Sequence, residues 1–459
     1  MKDKKYKISV IGLGKLGAPL AAVLAHKGHR VVGVDQDPQR IFLINEGRAP
    51  VFEPELGELI QNSCARLSAT TQYEKAIEET EISFIVVPTP SGPQGRFSTE
   101  YTLQAAESIG RCLARKHRFH LVVLTSTVMP GDTECKILPT LEKYSGKQCG
   151  VDFGLCYNPE FVALGSVIRD LLQPDFVLIG ESDPKSGEIL ENLYRELCEK
   201  VPPFARMNFV NAELTKLAVN TFVTTKITYA NMLSQICERL PGADIDIVTH
   251  ALGLDSRIGK KYLKGGLGYG GPCFPRDNVA FNRLGEELGV QAILAEATDR
   301  LNRLRVPQLA ELVLKELPVK GTVGILGLTY KPNTDVVDAS QGLELAHYLS
   351  LRGVAVVAYD PAGIEKAKQL LNHTINFAPS LEECVKPSDV IVICTPWEKF
   401  RGIPPEWLRR EGVQRTLIDC WRLLDRSKHQ EHVHYLALGV GEAGPLSQKR
   451  KEIPKVAQV

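Results

Sequence analysis

One segment of the chain combines a thiol, several glycines and a pair of opposite charges. It runs from Gly265 to Asn278 with the sequence GGLGYGGPCFPRDN, so Cys273 lies between a glycine-rich stretch and the neighbours Arg276 and Asp277. A thiolate can add to an aldehyde, a nearby cation favours the thiolate, and a carboxylate can orient water. A plain glycine turn followed by a buried cysteine is the alternative, and the rest of the chain must decide between them.

The bulk composition limits the possible classes of protein. With 459 residues, 44% hydrophobic and 24% charged, the chain can form two or three globular domains. Its 55 basic and 54 acidic residues give a net charge of +1, which argues against a nucleic-acid or acidic-membrane partner. Eleven cysteines without a Cys-x-x-Cys pair argue against a disulfide framework and a zinc site, and predict a cytoplasmic protein without a metal. No apolar run reaches the roughly 20 residues that span a bilayer.

The amino-terminal segment has the pattern of a strand, a turn, a helix and a second strand. Residues 7–14 (KISVIGLG) predict a buried strand that ends in glycines, residues 19–28 predict a helix, and residues 31–35 (VVGVD) predict the next strand. This order is typical of the first unit of a doubly wound α/β domain.

Three glycines and an acid in this segment have the spacing of a dinucleotide site. Gly12, Gly14 and Gly17 form G-x-G-x-x-G, and Asp35 follows Gly17 by eighteen positions. The glycines permit a tight turn, a close approach of a pyrophosphate and close helix packing, while the carboxylate accepts a hydrogen bond from a ribose 2′-hydroxyl. A glycine-rich loop without a ligand is the alternative. Because the acid would repel a 2′-phosphate, the pattern predicts NAD rather than NADP.

A second, fainter copy of this unit lies late in the chain. Residues 322–330 predict a strand and a turn, a helix follows from Gly342, and residues 354–361 predict a second strand. Each half also has a later apolar run that ends in Thr-Pro, at residues 83–90 and 390–397. We interpret this as an internal duplication, with independent α/β patterning as the alternative. The late copy lacks G-x-G-x-x-G, so it should bind a different nucleotide.

The region between the halves has helical periodicity. Residues from about 211 to 240 and from about 279 to 317 predict long helices with few strand signals. A long helix with an extended apolar face can form the seam of a homodimer, or it can pack only within its own chain.

The patterns together predict two Rossmann-like, doubly wound α/β domains joined by a central region of long helices. The expected division is an NAD-binding domain at 1–205, a central helical domain with the cysteine loop at 206–312, a second Rossmann-like domain for a different nucleotide at 313–442 and a basic, solvated tail at 443–459.

The order of the motifs resembles the UDP-glucose/GDP-mannose dehydrogenase family over almost the whole chain up to about residue 440. The motifs that carry the resemblance are GLGKLG, VVPTP, STVMPGDT at 126–133, YNPEF at 157–161, NAELTKLAVNTF at 211–222, GGPCFPRD and GLTYKPNTD at 327–335.

The resemblance implies a four-electron oxidation of a nucleotide sugar's primary alcohol to a carboxylate, with two NAD reduced in succession. Cys273 would capture the aldehyde as a thiohemiacetal, and the second oxidation would leave a thioester for water to hydrolyse. Lys216 and Asn220, four apart on the predicted helix, would donate to the oxyanion, although such a pair is otherwise a solvated one. Glu160 and Asp277 are the candidate general bases, and which of them accepts which proton is open.

The remaining site residues follow from the motif matches and would otherwise be surface charges or caps. Thr127 would lie near the reacting centre, and Arg257 would reach the substrate from a neighbouring subunit. The residues expected to bind the cofactor are Gly12, Gly14, Gly17, Asp35, Arg40, Thr89, Thr127 and Arg276. Those expected to bind the substrate are Glu160, Lys216, Asn220, Arg257, Gly268, Gly270, Gly271, Lys331 and Arg422, with backbone donors in the stretch from Gly268 to Gly271.

Several positions depart from the family pattern. Leu164 replaces an acid near the nicotinamide, Asp338 replaces a cofactor-contacting cation, and Arg276 replaces a lysine. Near the end, Trp421 and Arg422 stand where the family has an arginine and an asparagine, so a substrate-binding arginine is shifted by one position or lost. The departures concern cofactor and substrate contacts and leave the cysteine chemistry intact.

We expect UDP-glucose as the substrate and a uronic acid for polysaccharide or glycoconjugate synthesis as the product. The Cys-Phe-Pro-Arg-Asp sequence resembles the UDP-glucose and GDP-mannose branches more than the N-acetylamino-sugar branches, and another UDP-sugar or GDP-mannose is the alternative. Two further hypotheses are a single-step alcohol dehydrogenase, against which Cys273 argues, and a catalytically impaired nucleotide-binding protein, which Leu164 and Asp338 suggest.

Overall fold

The computed structural model describes residues 4–371 and 374–442. The chain divides into two compact units, Met1–Val219 and Asn220–Val459. The predicted basic tail at 443–459 lies outside the described residues. Within the described ranges, every helix is too short or too polar to cross a membrane.

The first unit is built on an eight-stranded sheet in the order β3-β2-β1-β4-β5-β6-β7-β8. Neighbouring strands are parallel, except that β7 runs antiparallel to β6. The strands are β1 (Lys7–Ile11), β2 (Arg30–Val34), β3 (Leu67–Thr70), β4 (Ile82–Ile85), β5 (His120–Leu124), β6 (Phe153–Tyr157), β7 (Val177–Glu181) and β8 (Phe204–Met207).

Helices cover this sheet, and its central strands β4, β5 and β6 are therefore buried along their whole length. Asp37 and Asp183 begin α2 and α8 as N-caps, each followed by a proline at the first helical position. The helices are α1 (Gly17–His26), α2 (Pro38–Asn45), α3 (Leu56–Ser63), α4 (Tyr73–Glu79), α5 (Glu100–Leu113), α6 (Leu138–Ser145), α7 (Val167–Leu172) and α8 (Pro184–Leu197).

Long helices follow, as the sequence predicts. Helix α9 (Phe209–Arg239) has 31 residues, and the boundary between the two units falls within it. The second predicted helical stretch is two helices rather than one, because the chain turns at Gly289, which has a φ of +70°. The helices after α9 are α10 (Ile245–Leu254), α11 (Phe274–Glu287) and α12 (Ile293–Glu316).

The second unit contains a six-stranded parallel sheet in the order β11-β10-β9-β12-β13-β14. The strands are β9 (Thr322–Leu326), β10 (Ala355–Tyr359), β11 (Asn376–Phe377), β12 (Val390–Ile393), β13 (Thr416–Asp419) and β14 (His434–Ala437). The accompanying helices are α13 (Gln341–Ser350), α14 (Ile364–Leu371), α15 (Leu381–Val385), α16 (Pro405–Leu408) and α17 (Arg426–His429).

The two sheets share one topology, which confirms the predicted pair of Rossmann-like domains with a helical region between them in the chain. Strands β3-β2-β1-β4-β5-β6 of the first sheet correspond in order to β11-β10-β9-β12-β13-β14 of the second. This agreement supports the predicted duplication.

The match between the two Thr-Pro pairs is offset, however. Ile85 pairs with the last residue of β1 and Ile393 with the last residue of β9, so these two isoleucines are equivalent. Thr89 lies four residues beyond its strand and Thr395 only two. The two Thr-Pro pairs are therefore not equivalent positions.

Candidate active site

The turn between β1 and α1 requires glycine at two positions. Gly12 has a φ of +94°, and a Cβ there would lie 2.5 Å from the carbonyl oxygen of Val86. A Cβ at Gly17 would lie 1.8 Å from the carbonyl oxygen of Gly12, so only glycine lets the helix approach the strand this closely.

The remaining glycine of the turn, Gly14, has free space beside it. The nearest atom to a Cβ at Gly14 would be Nη1 of Arg40, at 3.9 Å. The N-cap of α1 is Leu16, which supplies no side-chain hydrogen bond to the first turn. An uncapped helix N-terminus beside an open glycine suits a pyrophosphate, and the residues present therefore fit NAD.

Asp35 lies directly after β2 and is held by the backbone. Its carboxylate accepts hydrogen bonds from the amides of Leu13 (2.7 Å) and Asp37 (2.9 Å). Nη1 of Arg40 lies 3.3 Å from its Oδ2, so the structure brings these two predicted cofactor residues together. The fixed carboxylate stands at the end of the strand where a ribose is bound in such folds.

Thr89 and Thr127 lie on neighbouring loops at the carboxyl ends of β4 and β5. The Thr89 hydroxyl donates to the Thr127 carbonyl oxygen over 2.7 Å. Ser126 donates to the carbonyl oxygen of Val87 over 2.6 Å and ties the same two loops. Ligands of open α/β sheets bind at this edge, where β1 and β4 diverge in chain order.

Glu160 and Lys216 are also adjacent. The Lys216 ammonium donates to the backbone carbonyl oxygen of Glu160 over 2.6 Å and lies 4.5 Å from the centre of the Phe161 ring. Burial raises the pKa of the Glu160 carboxyl above its ordinary value, against the opposing effects of Tyr194 and the Lys216 charge. A carboxyl with a raised pKa beside a fixed ammonium suits proton transfer.

Glu213 is a site-supporting residue that the sequence analysis missed. It is fully buried one turn before Lys216, and its two carboxylate oxygens accept from the amides of Gly131 (2.6 Å) and Thr133 (2.8 Å). It therefore fixes the loop after Thr127 to helix α9. Glu213 lies inside the quoted motif NAELTKLAVNTF and its partners Gly131 and Thr133 lie inside STVMPGDT, but neither motif alone shows that they meet.

In the second unit, Asn220 of helix α9 contacts Asp277 in the first turn of helix α11. Nδ2 of Asn220 donates to Oδ2 of Asp277 over 2.6 Å, and Asp277 is fully buried. Nε of Arg276 lies 3.6 Å from Oδ1 of Asp277. Three predicted site residues thus form one cluster in which a buried carboxylate is balanced by an amide and a guanidinium.

Cys273 is the N-cap residue of α11 and its side chain is exposed. The amide of Asp277 donates to the Cys273 carbonyl oxygen over 2.8 Å, so the carboxylate lies one turn behind the thiol on the same helix. A helix N-terminus favours negative charge, which suits a thiolate. The structure therefore excludes the alternative of a buried core cysteine.

Buried amide side chains hold the glycine-rich stretch in front of Cys273. Asn231 accepts from the Gly266 amide (2.9 Å) and donates to the Leu267 carbonyl oxygen (2.9 Å). Asn302 does the same for both backbone groups of Tyr269, at 2.8 and 3.0 Å. These two asparagines, which the sequence analysis also missed, make the loop a preformed structure.

Two predicted backbone donors of this loop already have acceptors inside the unit. The Gly268 amide donates to Oε1 of Gln341 over 3.0 Å, and the Gly271 amide donates to the carbonyl oxygen of Asp338 over 2.9 Å. A Cβ at Gly270 would lie 2.2 Å from the carbonyl oxygen of Ala339. These glycines serve close packing against the loop that precedes α13.

Arg422 is engaged by the protein itself. Its guanidinium pairs with both oxygens of Asp246, each at 2.8 Å, and donates to the carbonyl oxygens of Gly265 and Leu438, each at 2.7 Å. It adopts a φ of +54°. Four of the five guanidinium N–H groups have protein acceptors, so Arg422 tethers the glycine-rich loop, and its contact with the substrate stays a prediction.

Trp421 supports the same loop. Its indole N–H donates to the carbonyl oxygen of Cys394 over 2.8 Å, and a Cβ at Gly266 would lie 2.8 Å from its ring. The departure at these positions therefore has a structural use: the ring packs on the glycine loop.

The other predicted substrate residues lie on loops. Arg257 has a largely exposed side chain and pairs with Asp255 at 2.6 Å. Lys331 is half-buried, with its ammonium 5.8 Å from the centre of the Tyr330 ring. Both are accessible cations of the kind that bind an anionic ligand.

The structure shows the surroundings of two further departures from the family pattern, Leu164 and Asp338. Leu164 packs against the hydrophobic core of the first sheet, where an acid would lose hydration. Asp338 is exposed. The Asp338 side chain therefore has little effect on the stability of the fold, but it makes the local charge negative.

Comparison with known proteins identifies the family of the chain. Three domain profiles of the UDP-glucose/GDP-mannose dehydrogenase family match in order: the NAD binding domain at residues 6–198, the central domain at 210–304 and the UDP binding domain at 324–426. The first of these profiles identifies NAD as the cofactor.

Individual relatives share about a third of the residues. The chain is 35% identical over 424 residues to the UDP-glucose 6-dehydrogenase AglM of Haloferax volcanii, covering 92% of this chain and 97% of that one. It is 35% identical over 413 residues to the GDP-mannose 6-dehydrogenase of Pseudomonas putida, covering 86% and 92%.

A solved structure has the same fold. The UDP-glucose dehydrogenase from the hyperthermophilic archaeon Pyrobaculum islandicum superposes with a TM-score of 0.86 at 35% identity, over 96% of this chain and 99% of that one. Sequence motifs, domain order and fold lead to one assignment: the chain belongs to the UDP-glucose/GDP-mannose dehydrogenase family of nucleotide-sugar 6-dehydrogenases.

Proposed function

We propose that the protein oxidises UDP-glucose to the corresponding uronate in two NAD-dependent steps through a covalent intermediate on Cys273. The observation that carries this proposal is the exposed thiol at the N-terminus of α11, with the buried Asp277 carboxylate one turn behind it and hydrogen-bonded to Asn220. A single-step alcohol dehydrogenase needs no such thiol.

The balanced reaction is R–CH2OH + 2 NAD+ + H2O giving R–COO− + 2 NADH + 3 H+. NAD, when bound, would supply the hydride acceptor for each of the two oxidations of the sugar carbon. Between the two, the Cys273 thiolate adds to the aldehyde carbon and the oxygen gains a proton, which forms a thiohemiacetal. Loss of hydride and that proton leaves a thioester; water then adds, the carbon–sulfur bond breaks and the thiolate returns.

Polar side chains around these steps have complementary roles. The Lys216 ammonium and the Asn220 amide, four residues apart on α9, would donate to the oxygen as it gains negative charge. Glu160, whose pKa is raised by burial, would remove a proton from water. Asp277 would orient Asn220 through their 2.6 Å hydrogen bond and keep a negative charge beside Arg276.

The domain assignments follow from the same features. We assign cofactor binding to residues 1–205, the cysteine loop to a central domain at 206–312 and the sugar nucleotide to residues 313–442. Gly12, Gly14, Gly17 and Asp35 would hold NAD. Lys331 would meet the substrate pyrophosphate, and Arg257 would reach the substrate from a neighbouring subunit.

We put UDP-glucose before GDP-mannose because the relative named for UDP-glucose covers 92% of this chain and the relative named for GDP-mannose covers 86%. Overall identity does not separate the two sugars, since the relatives named for each are both 35% identical to this chain. None of the cysteines in the described ranges forms a disulfide, which favours a reducing cytoplasm as the place of action.

A homodimer is also proposed. Helix α9 exposes Phe222, Tyr229 and Ile236, which are spaced seven residues apart and so form one apolar stripe that Leu240, directly after the helix, extends. A second copy of the same stripe would cover it around a twofold axis. Light scattering should give twice the chain mass for the wild type and one chain mass for Phe222→Glu. Val319→Glu, at a fully exposed loop position, should stay dimeric.

The decisive experiment counts NADH formed per sugar when UDP-glucose is limiting. We expect two NADH per UDP-glucose for the wild type. Cys273→Ser should lose the second oxidation, whereas Cys64→Ser, which alters another exposed thiol, should retain both. The same assay with GDP-mannose and UDP-N-acetyl sugars tests the substrate assignment.

Other outcomes would overturn the proposal. One NADH per sugar that does not depend on Cys273 means a single-step alcohol dehydrogenase. No NADH with any of these sugars, despite NAD binding, means a nucleotide-binding protein whose chemistry is lost.

A further inference from the structure

Tyr194 lies against the proposed base and has no role in the steps above. It is buried on α8, and its hydroxyl oxygen is 2.6 Å from Oε1 of Glu160 and 2.6 Å from Oδ1 of Asn158. Both distances are those of strong hydrogen bonds.

The orientation of the Asn158 amide is fixed by the sheet. Its Nδ2 donates to the carbonyl oxygen of Leu178 over 2.9 Å, and its backbone amide donates to the carbonyl oxygen of Leu124 over 2.8 Å. The reversed amide would put two oxygens in contact at Leu178. The Asn158 oxygen, an acceptor, therefore faces the phenol.

A hydrogen count then decides the protonation of Glu160. Burial raises the pKa of Tyr194 well above its ordinary value, so the phenol keeps its single hydrogen. With an ionised Glu160, that hydrogen can serve only one of two acceptors, and the other contact sets two lone pairs 2.6 Å apart. With a neutral Glu160, the carboxyl donates to the phenol oxygen and the phenol donates to Asn158, which satisfies every group.

We propose that Tyr194, oriented by Asn158, is a positioning residue that keeps a proton on Glu160 in the resting enzyme. Glu160 becomes a base for thioester hydrolysis only after this proton leaves. This consequence rests on the proposed function, whereas the protonation state itself does not.

The surroundings of Glu160 contain opposing effects. The Lys216 ammonium on α9 lowers the Glu160 pKa and burial raises it. The Cys198 thiol, directly after α8, is neutral because burial raises its pKa to about 12. If the Tyr194 hydroxyl donated to Glu160, it would lower the pKa of the carboxyl. If it accepts a hydrogen bond from Glu160, it raises that pKa. The fixed Asn158 oxygen favours the second arrangement, because it accepts the hydrogen of the phenol.

Infrared difference spectroscopy reads the carboxyl directly. The NAD-loaded wild type and Glu160→Gln are compared at pH 7 with 13C-labelled glutamate. We expect the C=O stretch of a protonated carboxylic acid in the wild type that is absent in the variant. Only ionised carboxylate bands in that difference would overturn the proposal, whatever the activity of either protein.

Tyr194→Phe tests the direction of the effect. Removal of the accepting oxygen should lower the Glu160 pKa by a unit or more, so the acid band disappears at pH 7 and thioester hydrolysis persists at lower pH. A pKa that rises in Tyr194→Phe would overturn the proposal. Tyr348→Phe, which loses a hydroxyl bound to exposed Arg352, should leave band and pH profile unchanged.

The two proposals fail separately. A single NADH per sugar together with the acid band would refute the thioester route and retain the role of Tyr194. Two NADH per sugar without the acid band would support the thioester route and refute the role of Tyr194.

Discussion

Asp35 and Asp360 are equivalent residues of the two duplicated halves. Each follows the second strand of its half and accepts the same two backbone hydrogen bonds. Asp35 accepts from Leu13 at 2.7 Å and from the amide two residues further on at 2.9 Å. Asp360 accepts from Leu328 at 2.7 Å and from the amide two residues further on at 2.8 Å.

The two carboxylates differ in what else surrounds them. Asp360 is fully buried and also accepts from the amide and hydroxyl of Thr329, the amide of Gly363 and the indole N–H of Trp397. Asp35 has Arg40 as a further donor. The same position has thus become a structural clamp in the second half, while the first half keeps a carboxylate that can accept from a ribose.

Substitution of these two acids should separate binding from stability. We expect Asp35→Ala to weaken NAD binding by about tenfold or more, because a hydrogen bond to a charged group contributes about 1.5–3 kcal/mol. Calorimetric titration with NAD measures this loss, and titration with NADP should show a relative gain. An unchanged NAD affinity would contradict the role of Asp35.

Asp360→Ala should instead destabilise the second unit by about 3 kcal/mol or more, because several buried donors lose their acceptor. All three tryptophans of the chain, Trp397, Trp407 and Trp421, lie in that unit. Their fluorescence during urea unfolding therefore reports it. The NAD affinity of the folded protein should stay within twofold of the wild type.

Substitution of Gly17 and Gly14, in the turn between β1 and α1, should also separate an effect on stability from an effect on NAD binding. Gly17→Ala would force a methyl group to 1.8 Å from the Gly12 oxygen and should destabilise the first unit by about 3 kcal/mol or more. Gly14→Ala should change stability by less than about 1 kcal/mol but weaken NAD binding by about tenfold, because the methyl group occupies the free space of the turn.

An exposed helical glycine provides the control. A Cβ at Gly57 in α3 meets nothing within 4 Å, so Gly57→Ala should stabilise the chain by about 0.5–1 kcal/mol and leave NAD binding unchanged. Thermal unfolding and NAD titration of the three variants give both readouts. Normal NAD binding by Gly14→Ala would show that the pyrophosphate does not approach this glycine.

Local patterns were enough to predict the turn, the strands around it and the order of the domains. The period of apolar residues, glycine spacing and the acid after β2 are all properties of short segments. Glu213 could not be found in this way, since its partners Gly131 and Thr133 lie 82 and 80 residues away. Its burial is a property of the folded chain, and a glutamate within a helical motif otherwise indicates an exposed face.

Arg422 shows a second limit of sequence reasoning. The motif indicated an arginine shifted by one position, and a shift in a loop leaves the direction of the side chain undetermined. The φ of +54° turns this residue toward Asp246 and the carbonyl oxygen of Gly265. Long-range hydrogen bonds, rather than the local pattern, decide its role.

Arg422→Ala should therefore act on stability more than on substrate contact. Loss of the guanidinium leaves the carbonyl groups of Gly265 and Leu438 without their donor, and we expect about 2–4 kcal/mol less stability of the second unit in urea. In a double-mutant cycle with Asp246→Ala, the coupling should be about 1 kcal/mol, because Asp246 is half exposed. A wild-type unfolding midpoint with a raised substrate KM would favour the substrate role instead.

The buried His29 should make the first unit sensitive to acid. Its Nδ1 accepts the amide of Tyr6 at 3.1 Å, and burial, with a smaller effect of the Lys5 charge, lowers its pKa from 6.5 to about 4. Between pH 6.5 and 4 the unfolded chain binds a proton that the folded chain excludes. The contribution of neutral His29 is thus complete above pH 6.5 and is lost as the pH falls to 4, by about 3 kcal/mol.

His29→Asn isolates this effect, because its amide oxygen can replace Nδ1 as the acceptor and does not titrate. The variant should be about 1 kcal/mol less stable than the wild type at pH 7.5, since the smaller side chain fills less of the core. At pH 4.5 it should be as stable or more stable. Since the tryptophans lie in the other unit, urea unfolding is followed by pulsed hydrogen exchange at one fixed pH, with mass spectrometry of peptides from residues 4–34. A wild-type-to-variant difference that stays constant between the two pH values would show that His29 is not the titrating group.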